Sequence, residues 1–175
     1  MRYALRMWMW FAARTDRRRG PGTKRLVLEH GVYPDICELA TRYPHEFAVT
    51  LFGFRKDEDY RVTHIAPPGK NAVQEYAQCT GDAEFEARFF EELRKKDPQI
   101  TWLGDLHAHP CWISSLSGRD LRTVRKILLG TDDTWHPAEY VAGVMLRMTS
   151  GIAFYPWHFT KENLEGSEME THLAD

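Results

Sequence analysis

The spacing of hydrophobic and polar residues changes repeatedly along the chain, and each change predicts a new helix or strand. Apolar residues recur at helical spacing from Val32 to Tyr43, and Pro44 ends that helix. Alternating or continuously apolar runs, such as FAVTLFGF, predict strands. The predicted strands are residues 2–12, 25–29, 47–54, 60–65, 100–106, 140–147 and 152–158, and the predicted helices are 32–43, 82–96 and 118–129. Strands and helices therefore interleave, which predicts an α/β fold with a mixed sheet and helices packed on its faces.

One junction between a predicted strand and a predicted helix concentrates polar chemistry. The segment Asp105 to Leu121 reads DLHAHPCWISSLSGRDL and contains His107 and His109. In an extended chain these two histidines face the same side, and Asp120 lies in the first turn of the helix that follows. Two imidazoles and one carboxylate leave a fourth position open for water, which is typical of a catalytic rather than a structural zinc site. The sequence therefore predicts one zinc ion held by His107, His109 and Asp120.

Each half of this segment also has a simpler explanation. Two histidines one residue apart are equally expected of an ordinary strand, and Ser117 with Asp120 forms the S-x-x-D pattern of a helix capping box. The combination is more specific. H-x-H-P, six residues and S-x-x-D at a strand-to-helix junction resemble the signature of the JAMM (MPN+) metalloproteases. Those enzymes cut isopeptide or peptide bonds after ubiquitin and ubiquitin-like proteins.

A water activated by zinc still needs a base to accept its proton and pass it to the leaving amine. Glu46 is the candidate, because it stands between the helix that Pro44 ends and the strand that follows. The resemblance extends here, since JAMM members place the catalytic Glu seven residues before a Gly, and Gly53 stands at that distance in YPHEFAVTLFG. The chain departs from many relatives at Val49, where they have Gly. Glu38, on the preceding helix, is the alternative base.

The resemblance assigns further roles around the zinc. The Ser117 hydroxyl would donate to the oxyanion of the tetrahedral intermediate while its oxygen caps the helix. Ala108, usually Ser or Thr in relatives, should face away from the metal. The implied fold is a mixed, curved sheet flanked by helices, the cytidine-deaminase-like α/β/α arrangement of JAMM/MPN domains. The short loops are similar to those of compact bacterial members.

The resemblance also implies a substrate, a ubiquitin-like protein joined through its C-terminal glycine. Cleavage would serve deconjugation or precursor processing, as in bacterial members whose operons, including antiphage systems, encode ubiquitin-like proteins. The extended tail would add to a strand edge formed by the H-x-H strand and the chain near Arg61–Gly81, and would enter a narrow passage beside Trp112 and Ser117. Related functions left open are processing of a sulfur-carrier protein and a non-catalytic MPN-type interaction scaffold.

Composition limits the remaining possibilities. The chain has 175 residues, 43% of them hydrophobic, and a formal net charge of −2, as expected for one ordinary soluble domain without nucleic acid or membrane as a partner. Its three widely spaced cysteines predict no disulfide framework and a reducing cytoplasmic location. We divide the chain into an N-terminal strand and basic arm (1–23), the JAMM domain (24–158) and an acidic C-terminal tail (159–175), which we expect to be mobile.

Other catalytic assignments fit the residues less well. Cys111 directly follows the H-x-H-P run, and a cysteine hydrolase would use it as nucleophile, although a position at the site entrance fits it better. A zinc nucleobase deaminase needs H-x-E and P-C-x-x-C, whereas Pro110-Cys111 is followed here by Trp112-Ile113-Ser114. A DNA-repair-associated branch with a similar motif carries Ser-Gly-Asp where this chain has Cys111-Trp112-Ile113.

Overall fold

The computed structural model describes residues 22–75, 78–109, 112–130 and 136–174. The strands are β1 (Arg25–Leu28), β2 (Ala48–Lys56), β3 (Asp59–Ala66), β4 (Val73–Glu75), β5 (Gln78–Thr80), β6 (Thr101–His109), β7 (Glu139–Met148), β8 (Gly151–Thr160), β9 (Ser167–Glu168) and β10 (Glu170–Leu173). The helices are α1 (Val32–Arg42), α2 (Ala83–Lys96) and α3 (Gly118–Leu129). Within these described ranges no helix is both long and apolar enough to cross a membrane.

Eight of the strands form one mixed sheet in the order β10-β1-β3-β2-β6-β7-β8-β9. β1 runs parallel to β10 and β3, β6 runs parallel to β7, and the other neighbours are antiparallel. The sheet curls strongly, because β8 and β10 touch although they lie near opposite ends of this order. The hydroxyl of Tyr60 on β3 likewise reaches Glu139 on β7 at 2.6 Å, with two strands between them.

Helices cover both faces of this sheet, so the predicted α/β class is confirmed. On one face Val32, Ile36 and Leu39 of α1 pack in the largest hydrophobic cluster. On the other face Leu93 of α2 and Leu128 of α3 lie in two smaller clusters. Residues of β6 serve the faces alternately: Leu106 and Ala108 enter the α1 core, which leaves His107 and His109 for the α2 and α3 side.

Two expectations are corrected. The acidic tail is not a free segment, since Ser167–Glu168 (β9) pairs with β8 and Glu170–Leu173 (β10) pairs in parallel with β1. Val73–Glu75 and Gln78–Thr80, which lie in none of the predicted elements, pair as the β4–β5 hairpin. β6 is not an edge, because β2 and β7 pair with it on its two sides, so an added strand has no place there. Residues 1–21, which hold the predicted first strand and most of the basic arm, lie outside the described residues.

Candidate metal centre

The end of β6 and the start of α3 bring three predicted ligands together. One ligand atom from each of His107, His109 and Asp120 can be chosen so that all lie within 4.8 Å of one another. The two histidine Nε2 atoms are 2.9 Å apart, and His107 Nε2 is 3.6 Å from Asp120 Oδ2. The two strand residues share a face because β-strand side chains alternate, as the spacing predicted.

Asp120 is oriented by the capping box that begins α3. The backbone N–H of Ser117 donates to Asp120 Oδ2 at 2.6 Å, and the N–H of Asp120 donates to Ser117 Oγ at 3.3 Å. The capping explanation of S-x-x-D is therefore confirmed, and the same carboxylate oxygen faces His107. A cap satisfies N–H groups that have no partner within the helix, so the backbone itself fixes this carboxylate.

His109 is held by the loop that follows it. Its Nδ1 lies 2.7 Å from the carbonyl oxygen of Ile113. A carbonyl can only accept, so Nδ1 carries a proton, and in the neutral ring the Nε2 lone pair faces the cluster. The pKa of His107 is lowered to about 4, mainly by burial. Asp120 opposes this shift and His109 reinforces it, both more weakly than burial. At neutral pH His107 is therefore uncharged and able to act as a ligand.

These distances and donors fit a metal ion. Zinc bonds imidazole nitrogen at roughly 2.0–2.1 Å, so two tetrahedral ligand atoms lie roughly 3.3 Å apart. The observed separations of 2.9 and 3.6 Å bracket that value. Neutral imidazoles and a carboxylate are also ligands that divalent transition metals prefer. His107, His109 and Asp120 can therefore hold a metal ion.

Glu46 lies on the loop between α1 and β2 and faces this cluster. Partial burial raises the pKa of its carboxyl, while the charge of His109 lowers it, that of Asp120 raises it and that of Arg119 lowers it. These electrostatic interactions put Glu46 in the neighbourhood of two of the ligands. The alternative, Glu38, forms an exposed ion pair with Arg42 at 2.6 Å on α1, and 69% of its side chain is accessible.

A polar layer beneath the ligands was not predicted. Asp105 precedes His107 by two residues on β6 and accepts a short hydrogen bond from the hydroxyl of Tyr140. Burial raises the pKa of the Asp105 carboxyl, and hydrogen bonds from Tyr140 and Thr50 partly oppose that shift. Thr50 also hydrogen-bonds Glu86 of α2, whose pKa burial raises as well. Thr50 therefore lies between two carboxyl groups whose pKa values burial raises.

The β4–β5 hairpin brings a second unpredicted group to the site. Burial, reinforced by the charges of Glu46, Asp120 and Asp105, raises the pKa of the Cys79 thiol to about 12. Cys79 therefore faces the acidic side of the site. Gly81, directly after β5, packs closely on Glu86, since a Cβ there would lie 2.0 Å from Oε1 of Glu86. Cys111, predicted at the site entrance, lies outside the described residues.

The outcomes for the remaining positions of the motif are mixed. Ala108 is buried in the α1 core, so the prediction that it faces away from the metal is confirmed. Val49 is fully buried on β2, and Gly53 stands where an added Cβ would come within 1.9 Å of the Arg61 carbonyl oxygen. Trp112 does not form a closed wall beside Ser117, since it is 77% exposed.

Comparisons with known proteins give a fold and no activity. No model of a protein family matches the sequence, and no curated protein matches it. A solved structure that matches is the solution structure of protein DSY2949 from Desulfitobacterium hafniense, a structural genomics target. The TM-score is 0.65 at 18% sequence identity, and the match covers 86% of this chain and 93% of that chain. At this identity the two proteins are similar in fold alone.

Proposed function

We propose that this protein is a zinc-dependent hydrolase of the JAMM type that cleaves the amide bond after the C-terminal glycine of a ubiquitin-like protein. The observation that carries the proposal is the meeting of His107, His109 and Asp120, with Glu46 beside them. A structural zinc site would be closed by a fourth protein ligand, whereas the described residues supply these three in one group.

The residues around the ligands divide the work of hydrolysis. Bound zinc would supply Lewis acidity, lowering the pKa of the attacking water and polarising the amide carbonyl. Glu46 accepts the proton of that water and delivers it to the leaving amine, a role that its raised pKa suits because a base works best near the operating pH. The Ser117 hydroxyl keeps its own proton when it accepts at the cap, so it can donate to the developing oxyanion.

The preference for an extended tail rests on the strand edges near the site. β6 is paired on both sides, but the β4–β5 hairpin forms a separate two-stranded sheet, and its Cys79 faces Glu46 and Asp120. A C-terminal tail can pair in extended form with this hairpin, which lies within the predicted region 61–81. Backbone hydrogen bonds carry such recognition, so small tail residues such as glycine fit where the chain passes the ligands.

A cleavage panel tests the proposal. The substrates are ubiquitin, a bacterial ubiquitin-like protein and a sulfur-carrier protein, each joined through its terminal glycine to 7-amino-4-methylcoumarin, and the free tail peptide with the same label. We expect zinc-dependent release of the dye from at least one folded substrate, and much slower release from the peptide. Glu46→Gln and the double variant His107→Ala/His109→Ala should be inactive.

The possible failures are separable. Stoichiometric zinc in the wild type without cleavage of any folded substrate would favour the non-catalytic scaffold over the hydrolase. Equal cleavage of protein and peptide would leave a hydrolase that recognises no folded partner. Equal zinc in wild type and His107→Ala/His109→Ala would remove the metal assignment itself.

A further inference from the structure

Arg147 of β7 holds the segment of chain that carries Glu46. Its Nη2 donates to the carbonyl oxygens of Tyr43, through a short hydrogen bond, and of His45 at 2.9 Å. Its Nε donates to the carbonyl oxygen of Ala40 at 3.3 Å. The guanidinium also lies 5.5 Å from the ring centroid of Phe47. Arg147 thus contacts the end of α1 and residues on both sides of Glu46.

The guanidinium is well suited to this position. The last carbonyl groups of a helix have no partner within it and carry partial negative charge, which a cation stabilises. Arginine can bond several carbonyls at once because its five N–H donors lie in one plane, and that plane also stacks on an aromatic ring. A lysine offers a single ammonium group, so it cannot reproduce all four contacts.

The opposite side of Glu46 is fixed by the ligand strand. Phe47 is fully buried, and its carbonyl oxygen accepts a hydrogen bond of 2.8 Å from the N–H of Ala108. Ala108 stands between His107 and His109. The backbone at Glu46 is therefore held between Arg147 and the strand that carries two of the ligands, which fixes the point from which its side chain extends.

We propose that Arg147 is a positioning residue that sets the place of the general base Glu46. The inference rests on the proposed function, because only a hydrolase needs a base at this point. Arg147 itself does not belong to the ligand group. Its loss should therefore leave zinc binding and substrate affinity largely unchanged and reduce the rate of the step that Glu46 assists.

The test compares Arg147→Met and Arg147→Lys with Arg42→Met, which removes a more exposed arginine from the same end of α1. Using the panel substrate that the wild type cleaves fastest, we expect Arg147→Met to lower kcat about 10–100-fold, as displacement of a reacting group by about 1 Å does. KM should stay within about threefold and zinc content should not change. Arg147→Lys should recover part of the rate, and Arg42→Met should resemble the wild type.

A double variant separates positioning from general stabilisation. If Arg147 acts through Glu46, the kcat of Glu46→Gln/Arg147→Met should lie within about twofold of the kcat of Glu46→Gln. Once the base is gone, losing the residue that positions it has no further effect on the rate. An additional loss equal to that of Arg147→Met alone would overturn the proposal. So would an unchanged kcat in Arg147→Met, or loss of zinc together with activity.

Amide hydrogen exchange supplies a reading that needs no substrate. In zinc-loaded Arg147→Met, exchange should quicken at residues 43–47 and stay unchanged at residues 101–107, measured at a temperature where the variant is folded. Unchanged exchange at residues 43–47 would show that Arg147 does not hold this segment, whatever the activity. A wild type that cleaves nothing refutes the proposed hydrolase instead, and exchange then still decides whether Arg147 holds this segment.

Discussion

Ser117 and Asp120 each supply the hydrogen bond that the other needs at the start of α3. The N–H of Ser117 donates to Asp120 Oδ2 at 2.6 Å, and that oxygen stands 3.6 Å from His107 Nε2. One carboxylate therefore caps a helix and completes a ligand group. The orientation of the third ligand, Asp120, follows from hydrogen bonds within four consecutive residues. Removing the cap should therefore lower the stability of α3.

Ser117→Ala should lower the free energy of unfolding by about 1 kcal/mol, the usual effect of losing an N-cap side chain. The N–H of Asp120 loses its acceptor, while Asp120 keeps the hydrogen bond from the backbone of residue 117. Urea unfolding of the metal-free protein measures this difference, with Ser115→Ala in the preceding loop as the matched control. Equal stability of the two variants would show that the hydroxyl contributes nothing to α3.

Glu46→Gln should retain zinc and the fold and lose turnover by roughly 10²–10⁴-fold, the range typical of a removed general base. The amide keeps the size of the side chain and cannot accept the proton. Glu38→Gln is the control, because that carboxylate pairs with Arg42 in solvent and should leave the rate unchanged. If Glu46→Gln kept a rate within a few-fold of the wild type and Glu38→Gln were inactive, the general base would be Glu38 on α1.

The ligand group could be predicted from the sequence because its geometry is local. Alternation along β6 puts His107 and His109 on one face, and a capping box needs only four consecutive residues. Thr50 is different. It meets Asp105 only because β2 pairs with β6 in the register that joins these two residues. The residue pattern along one strand does not reveal how it pairs with another strand. It shows only that Asp105 lies on the same face of β6 as the two histidines.

Arg147 and β10 show the same limit in another form. Arg147 bonds the carbonyl of Ala40, which lies 107 residues earlier in the chain, and only the packing of α1 near β7 brings them together. The acidic C-terminal segment resembled a solvated tail in composition, yet Glu170–Leu173 pairs in parallel with β1. Backbone pairing depends little on side-chain polarity, so a polar edge strand leaves a weak signal in the sequence.

The metal-free protein should lose stability as the pH falls below about 6.5. Burial lowers the pKa of His107 to about 4 in the folded state, whereas an unfolded histidine titrates near 6.5. Between these values the unfolded chain binds a proton that the folded protein does not, so stability falls with decreasing pH, by up to about 1.4 kcal/mol per pH unit. Below about pH 4 this contribution no longer changes.

Unfolding curves between pH 4 and pH 7 measure this effect. His107→Gln removes the titrating group, so the difference in stability between wild type and this variant should change across that interval. A difference that is independent of pH would mean that folding leaves the pKa of His107 unchanged. Histidines that do not contact His107 are common to both proteins and cancel in the comparison, and His109→Gln as a second variant controls for the neighbouring ring.

Cys79 should react slowly with thiol reagents in the folded protein. The thiolate is the reactive form, and a pKa raised from 9.0 to about 12 by burial and the neighbouring carboxylates leaves about 10³-fold less of it at pH 8. The measurement uses Cys37→Ser/Cys111→Ser, in which Cys79 is the only thiol, with 5,5′-dithiobis(2-nitrobenzoate) as the reagent. The same protein unfolded in urea gives the reference rate. A folded rate within tenfold of that reference would place Cys79 away from Glu46, Asp120 and Asp105, and with it the hairpin proposed to pair with the substrate tail.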